Sequence, residues 1–227
     1  MTTPLTAPPA GPASERVRLH RHPDRAAYDR ATVDAILDAA PIAHLGVVQG
    51  GEPRVLPTSF VRIDDVVYVH GARQNALLTA AVGQRVCLTV TCLDGLVLAR
   101  SAFNHSMNYR SVVVLGVAVE VRATAQKAAV LDRLVDRMVP GRPPLLRPTR
   151  PGELRATRVL GLPLLEASAK VRTGPPVDPA ADRSFPVWAG EVPLHQVVGR
   201  PLADPGAPAL AGAPRRIFAG LTVPTPG

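Results

Sequence analysis

The chain has 227 residues, 46% of them hydrophobic and 19% charged, which suits one domain with a sizeable core and excludes a disordered chain. Aromatics make up only 4%, so Ala, Val and Leu must fill that core. The formal charge of +8 comes from scattered arginines (Lys127 and Lys170 are the two lysines) with no run longer than Arg215-Arg216, which argues against a nucleic-acid partner and for anionic small molecules.

Residues 1–15 and 203–227 are rich in Pro, Ala and Gly, a composition expected of flexible ends. No apolar run is long enough for a membrane span, and the N-terminus has no signal-peptide core, so a cytoplasmic protein with no membrane partner is expected. Val33, Ile36, Leu37 and Ala40 recur at helical spacing, which predicts a helix over 30–40 with Asp29 or Thr32 as cap and Pro41 as stop. Strands are predicted at 42–48, 54–63 and 66–70, turning at Gly50-Gly51 and Asp64-Asp65. Pro57 suits an edge or a bulge.

A short helix is predicted at 73–82, with Leu77, Leu78, Ala81 and Val82 on one side. Strands at 85–93 and 96–103 are expected to turn at Asp94-Gly95, and the longest strand at 109–122. A helix covers 125–139 through Ala128, Leu131, Leu134, Val135 and Met138; "PGRPPLLRPTRP" reads as a loop, "ELRATRVL" as helical and "PLLEASAKVRTG" as a last strand. Short antiparallel strands with tight turns make a mainly β fold, a small barrel with helices across its ends.

Three places attract attention for chemistry. In "VYVHGARQNALL" a strand ends at His70, Gly71 allows a turn, and a helix start beside Arg73 would suit a phosphate. In "PRVLPTSF" the ladder broken at Pro57 leaves backbone groups beside Thr58 and Ser59 for a planar ligand. "FNHSMNYRSVVVLG" sets a polar half against an apolar one, with His105 in an exposed turn. His44, among apolar neighbours, reads as a core histidine. Cys87 and Cys92, five apart, fall on opposite faces of a strand and read as two buried, reduced thiols. No ligand spacing supports a metal centre, and there is no Gly-x-Ser-x-Gly elbow, P-loop or dinucleotide fingerprint. No catalytic acid or base stands out. What remains fits an organic cofactor that carries the chemistry itself.

"RHPDRAAYDR" (21–30), "PTSFVR" (57–62), "YVHG" (68–71), "HSMNYRSVVVLG" (105–116), "KVRTGPPVD" (170–178) and "WAGEVPL" (188–194), in this order, resemble flavin-nucleotide-binding proteins of the pyridoxamine 5'-phosphate oxidase-like superfamily, in its nitroimidazole-reductase-type branch. The resemblance implies an antiparallel split β-barrel of about six strands, Greek-key in type, with flanking α-helices. It implies a domain over 20–200, an N-terminal arm at 1–19 and a tail at 201–227. It also implies a homodimer that binds FMN and transfers hydride or electrons to or from a small-molecule substrate, with NAD(P)H or a deazaflavin as reductant. By the same resemblance His70, Gly71, Ala72 and Arg73 would hold the FMN phosphate, and Leu56, Pro57, Thr58 and Ser59 would line the isoalloxazine. Ser111, with Asn108, Tyr109 and Arg110, would bond the flavin, and Lys170, Arg172 and Trp188 would complete the cleft from the partner subunit.

Two features depart from the oxidase proper: Ser59 stands near the place of a basic residue, and "KVRTGPPVD…WAGEVPL" replaces the substrate-binding signature. Both argue against pyridoxamine-phosphate oxidase activity itself. The alternatives are a flavin carrier or sensor without turnover, and a split barrel that binds haem instead, through His105 or His22.

Overall fold

A computed structural model of the chain describes residues 11–206, 216–218 and 221–222; most of the two expected flexible ends lies outside them. In chain order the elements are β1 (Ala26–Ala27), α1 (Arg30–Ala39), β2 (Ala43–Gln49), β3 (Glu52–Thr58), β4 (Phe60–Ile63), β5 (Val66–Ala72), α2 (Ala76–Ala81) and β6 (Arg85–Leu98). There follow β7 (Ser106–Val117), β8 (Val119–Glu120), α3 (Thr124–Met138), α4 (Pro151–Ala156), β9 (Thr157–Pro163), β10 (Glu166–Arg172), β11 (Gly190–Pro193), β12 (Arg216–Ile217) and β13 (Leu221–Thr222). Nine of these strands run four residues or longer, more than the six expected. The chain folds into two compact units, each built from three stretches of sequence.

The first unit holds Met1–Ala40, Cys87–Gly116 and Leu164–His195. β1 pairs with β10 and β10 with β7, antiparallel, so that Lys170 faces Ser111 and Arg172 faces Tyr109. α1 forms where the apolar spacing predicts it, with Asp29 accepting a bond from the Thr32 N–H at 2.8 Å. Its Val33, Ile36 and Leu37 are buried, and the helix lies against β10. The lead-in is tied down too: Val17 is buried, Arg16 pairs with Glu166, and the Leu19 N–H donates to the Tyr28 hydroxyl at 2.9 Å.

The predicted turn at Asp94-Gly95 does not exist, because β6 runs straight through it. β11 pairs along Gly95–Leu98, and the Leu194 N–H donates to the Asp94 carbonyl at 3.0 Å, which holds this dipeptide extended. A Cβ on Gly95 would stand 3.0 Å from the Val192 carbonyl oxygen, so here the glycine serves close backbone approach. The stretch expected to be the last strand is β10, and β11 comes after it. Both cysteines are free and half-buried on β6.

The second unit holds Pro41–Val86, Val117–Pro163 and Gln196–Gly227. β2 and β3 form the expected hairpin around Gly50 and Gly51, at φ 60° and 83°. Ala43, Leu45 and Val47 point inward on β2, so strict alternation turns His44 outward; it is exposed, not a core residue. The predicted strand over 54–63 is two strands, divided at Ser59. A four-stranded antiparallel sheet runs in the order β4-β5-β9-β8.

α3 covers this sheet through Val130 and Leu134, which pack with Val61, Val121 and Val159 in a cluster flanked by Ile63, Tyr68 and Leu131. Each such side chain contributes about 1.5–3 kcal/mol. The buried stripe of α3 begins at Lys127. The predicted 109–122 strand stops at Val117, because the Ala118 amide and carbonyl turn to Gln84 and Gly83. "ELRATRVL" is helical only to Ala156; from Thr157 its β-branched residues pair with β5 as β9.

Candidate functional site

The candidate residues fall into two groups, one in each unit. In the second unit, every residue of β3 from Glu52 to Pro57 is exposed, with Val55 and Leu56 at 62% and 47%. A cavity of about 450 Å³ opens beside this strand. Arg54, Val55 and Leu56 form one wall with Gln49, and Asn75, Ala76 and Leu77 at the start of α2 form the other. It therefore joins an apolar wall to one guanidinium. Of the expected group, Leu56 lines this cavity. Pro57 and Thr58 pair with His44 and Ala43, and the Thr58 hydroxyl donates to the Ser59 carbonyl at 3.2 Å.

α2 starts at Ala76, not at Arg73, since Asn75 caps it by accepting from the Leu78 N–H at 3.0 Å. His70, Gly71 and Ala72 are still strand, opposite Val159, Arg158 and Thr157. The Arg73 N–H donates to the Ala156 carbonyl at 2.7 Å, and its side chain is exposed. A Cβ on Gly71 would fall 2.7 Å from Leu78 Cδ1, so this glycine lets α2 close onto β5.

Of the six histidines, all among the described residues, His70 alone is not exposed. Burial lowers its pKa from the ordinary histidine value and so favours the neutral imidazole. Its Nδ1 stands 3.5 Å from the Ser59 hydroxyl. His105 is exposed, with Nδ1 on the Ser101 carbonyl at 2.8 Å, and His22 is exposed on a left-handed backbone at φ 56°.

In the first unit, β7 and β10 bring Asn108, Tyr109, Arg110 and Ser111 beside Lys170 and Arg172. Much of their polarity is used within the unit. Arg110 holds Asp94 with two bonds of 2.8 Å, and that hydrogen bonding raises its pKa. Buried Arg172 bonds Asn108 and the Gly174 and Pro175 carbonyls, the last two at 2.9 and 3.1 Å. Burial first, and Arg25 second, lower its pKa. Asn108 donates in turn to Glu191 of β11. The Ser111 hydroxyl donates to the Lys170 carbonyl at 3.4 Å, and Lys170 Nζ to the Arg21 carbonyl at 3.3 Å. Trp188 is 63% exposed and lies over Gly190, where a Cβ would meet its ring at 2.8 Å.

Sequence reasoning missed Arg54 and the capping Asn75, and the acids Asp94 and Glu191 that occupy Arg110 and Asn108. An arginine directly before "VLPTS" was the one available sign of the cavity's charge. Among the described residues no three His, Cys, Asp or Glu side chains stand together to hold a metal ion, and no helix is long and apolar enough to cross a membrane.

Residues 29–171 match the family model of pyridoxamine 5'-phosphate oxidase. Among solved structures, the flavocytochrome Anf3 from Azotobacter vinelandii is 45% identical, with a TM-score of 0.86 over 90% of this chain and 95% of its own. The FAD- and heme-binding protein from Mycobacterium smegmatis is 35% identical, with a TM-score of 0.82 over 87% of this chain and 99% of its own. A candidate 5-nitroimidazole antibiotic resistance protein from Bacteroides thetaiotaomicron shares the fold alone, at 20% identity and a TM-score of 0.55 over 64% and 86% of the two chains. No curated protein matches the chain. The antiparallel sheets with flanking helices are those of the split-barrel class. With 143 matched residues and two relatives that span nearly all of it, the chain belongs to the pyridoxamine 5'-phosphate oxidase family.

Proposed function

We propose that this protein is a flavin-binding redox protein that carries a haem as well. The observation that carries this reading is the nature of the two relatives above 30% identity: one is a flavocytochrome, the other an FAD- and heme-binding protein. The expectation from sequence was FMN, with haem in its place as the alternative; the relatives favour the two groups together.

The residues present suit both groups. A cavity lined by Val55, Leu56 and Leu77 with the single cation Arg54 matches a planar ring system with an anionic tail. A haem iron takes a neutral imidazole, and His70 is half-buried, which favours its neutral form, while His105 and His22 are exposed to water. Ser59 would orient the His70 ring through Nδ1, as an outer-shell partner does.

When bound, a flavin supplies two-electron chemistry and a haem one-electron and O₂ chemistry. The chain's part is to bind, orient and shield them. The reaction is then oxidation or reduction of a small molecule, with NAD(P)H or a deazaflavin among the possible reductants. Assembly as a homodimer would cover the exposed Val48, Val55 and Leu56 of the β2–β3 hairpin and Ile42 just before it. Mass spectrometry of the small molecules released from purified protein tests the reading. FAD or FMN together with haem is expected; release of neither, even after the groups are supplied, would refute it.

A further inference from the structure

The arginines are less scattered than the sequence suggested. Residues 142–158 hold five arginines against one glutamate, which supplies half of the chain's formal +8. Every residue from 144 to 153 is exposed. Arg150 and Arg155 are exposed, and the Arg150 N–H donates to the Glu153 carboxylate at 2.8 Å. Arg147 pairs with Glu153, whose carboxyl that bond pulls down to about 2, so the local charge is fixed throughout the neutral range. Arg158 belongs to the scaffold instead, with its side chain 11% exposed and 3.2 Å from Glu120.

This charge lies at one end of the β5–β9 ladder. Gly71 faces Arg158, Ala72 faces Thr157, and the Arg73 N–H meets the Ala156 carbonyl. Arg155 and Arg73 thus flank the strand end that begins at His70, the proposed haem ligand.

We infer that the Arg147–Arg150–Arg155 surface is the docking face for a small acidic electron-carrier protein. The inference rests on the redox reading above and adds the class of its electron donor. A net-positive patch steers an oppositely charged partner and raises its association rate. Exposed Leu145 and Leu146, at 69% and 44%, give the patch an apolar centre inside a polar rim. A second copy of this chain would bring the same charge against itself. An anionic membrane is less well served, because α4 is six residues long and turns Leu154 inward, so no amphipathic helix lies there. In the transfer, one electron would leave the carrier's reduced centre, which is oxidised, and pass to the redox group this protein would hold, which is reduced by one electron. No bond forms or breaks.

The test uses full-length protein and a reduced plant-type 2Fe–2S ferredoxin as the acidic probe. In rapid mixing, the rate of haem reduction at low ionic strength should fall steeply with added salt. The pair Arg150→Glu/Arg155→Glu should lower that rate at least about tenfold and flatten its salt dependence, while dithionite reduces both proteins alike. The neutral pair Arg150→Gln/Arg155→Gln should act in the same direction and serves if the reversed pair does not fold. Calorimetric titration of cofactor-free protein with oxidised ferredoxin should show the same loss of affinity. Equal rates and affinities in all variants would overturn the inference, as would binding to phosphatidylserine vesicles with no effect on ferredoxin. Protein that never takes up flavin or haem fails the cofactor reading instead, and is recognised before mixing.

Discussion

Gly71 and Leu78 touch across the turn between β5 and α2: a Cβ on the glycine would stand 2.7 Å from Leu78 Cδ1. The position next to His70 is therefore set by packing. Gly71→Ala forces Leu78 or all of α2 to move, at a cost of about 1–3 kcal/mol. A thermal melt lowered by several degrees is expected, together with weaker cofactor retention, because Asn75, Ala76 and Leu77 line the cavity and ride on the same helix. An unchanged melt would mean that Leu78 adapts freely.

Lys127 is a buried ammonium with a structural task. Its Nζ donates to the Leu154 carbonyl at 3.1 Å and the Thr157 carbonyl at 2.9 Å, closing the end of α4. Lys127→Met keeps the length and leaves two carbonyls without a donor, so a loss of about 2–4 kcal/mol is expected in urea unfolding. A loss below about 0.5 kcal/mol would contradict the assignment.

Asp178 ties the segment after β10 to the first unit. Its carboxylate accepts from Arg100 Nη1 at 2.8 Å and from the Arg100 N–H at 3.1 and 3.3 Å. Burial works to raise its pKa, but these bonds outweigh burial and hold it below 3.8. With the folded value depressed, the contribution to stability is complete above about pH 4 and is lost as pH falls through the folded value. Asp178→Asn should lower the urea midpoint at pH 6 and reduce its further fall toward pH 2.5. Parallel curves for both proteins would refute the pairing.

How far the sequence reads through depends on what each residue answers to. α1 was legible because Val33, Ile36 and Leu37 keep a 3.6-residue period and Asp29 caps it, all local facts. Gly50-Gly51 was legible for the same reason. Asp94-Gly95 misled because its conformation is set by β11, about a hundred residues away. Lys127 was missed because a lysine on a buried face makes sense only once the α4 carbonyls are beside it. At the candidate site, local signals mark His70 only as part of a phosphate-competent turn, and Leu56 is named through the family resemblance alone. The ties of Arg110 to Asp94 and of Asn108 to Glu191 span 16 and 83 residues, and no local pattern announces them.

The central claim, a flavin and a haem with His70 on the iron, is tested most directly by absorption spectra of purified wild type and His70→Ala. A Soret band at roughly 400 nm above a flavin contribution is expected in the wild type, with the Soret band lost or shifted and the flavin kept in the variant. A wild type with no Soret band after haem is supplied, or a variant whose haem spectrum is unchanged, would contradict the account.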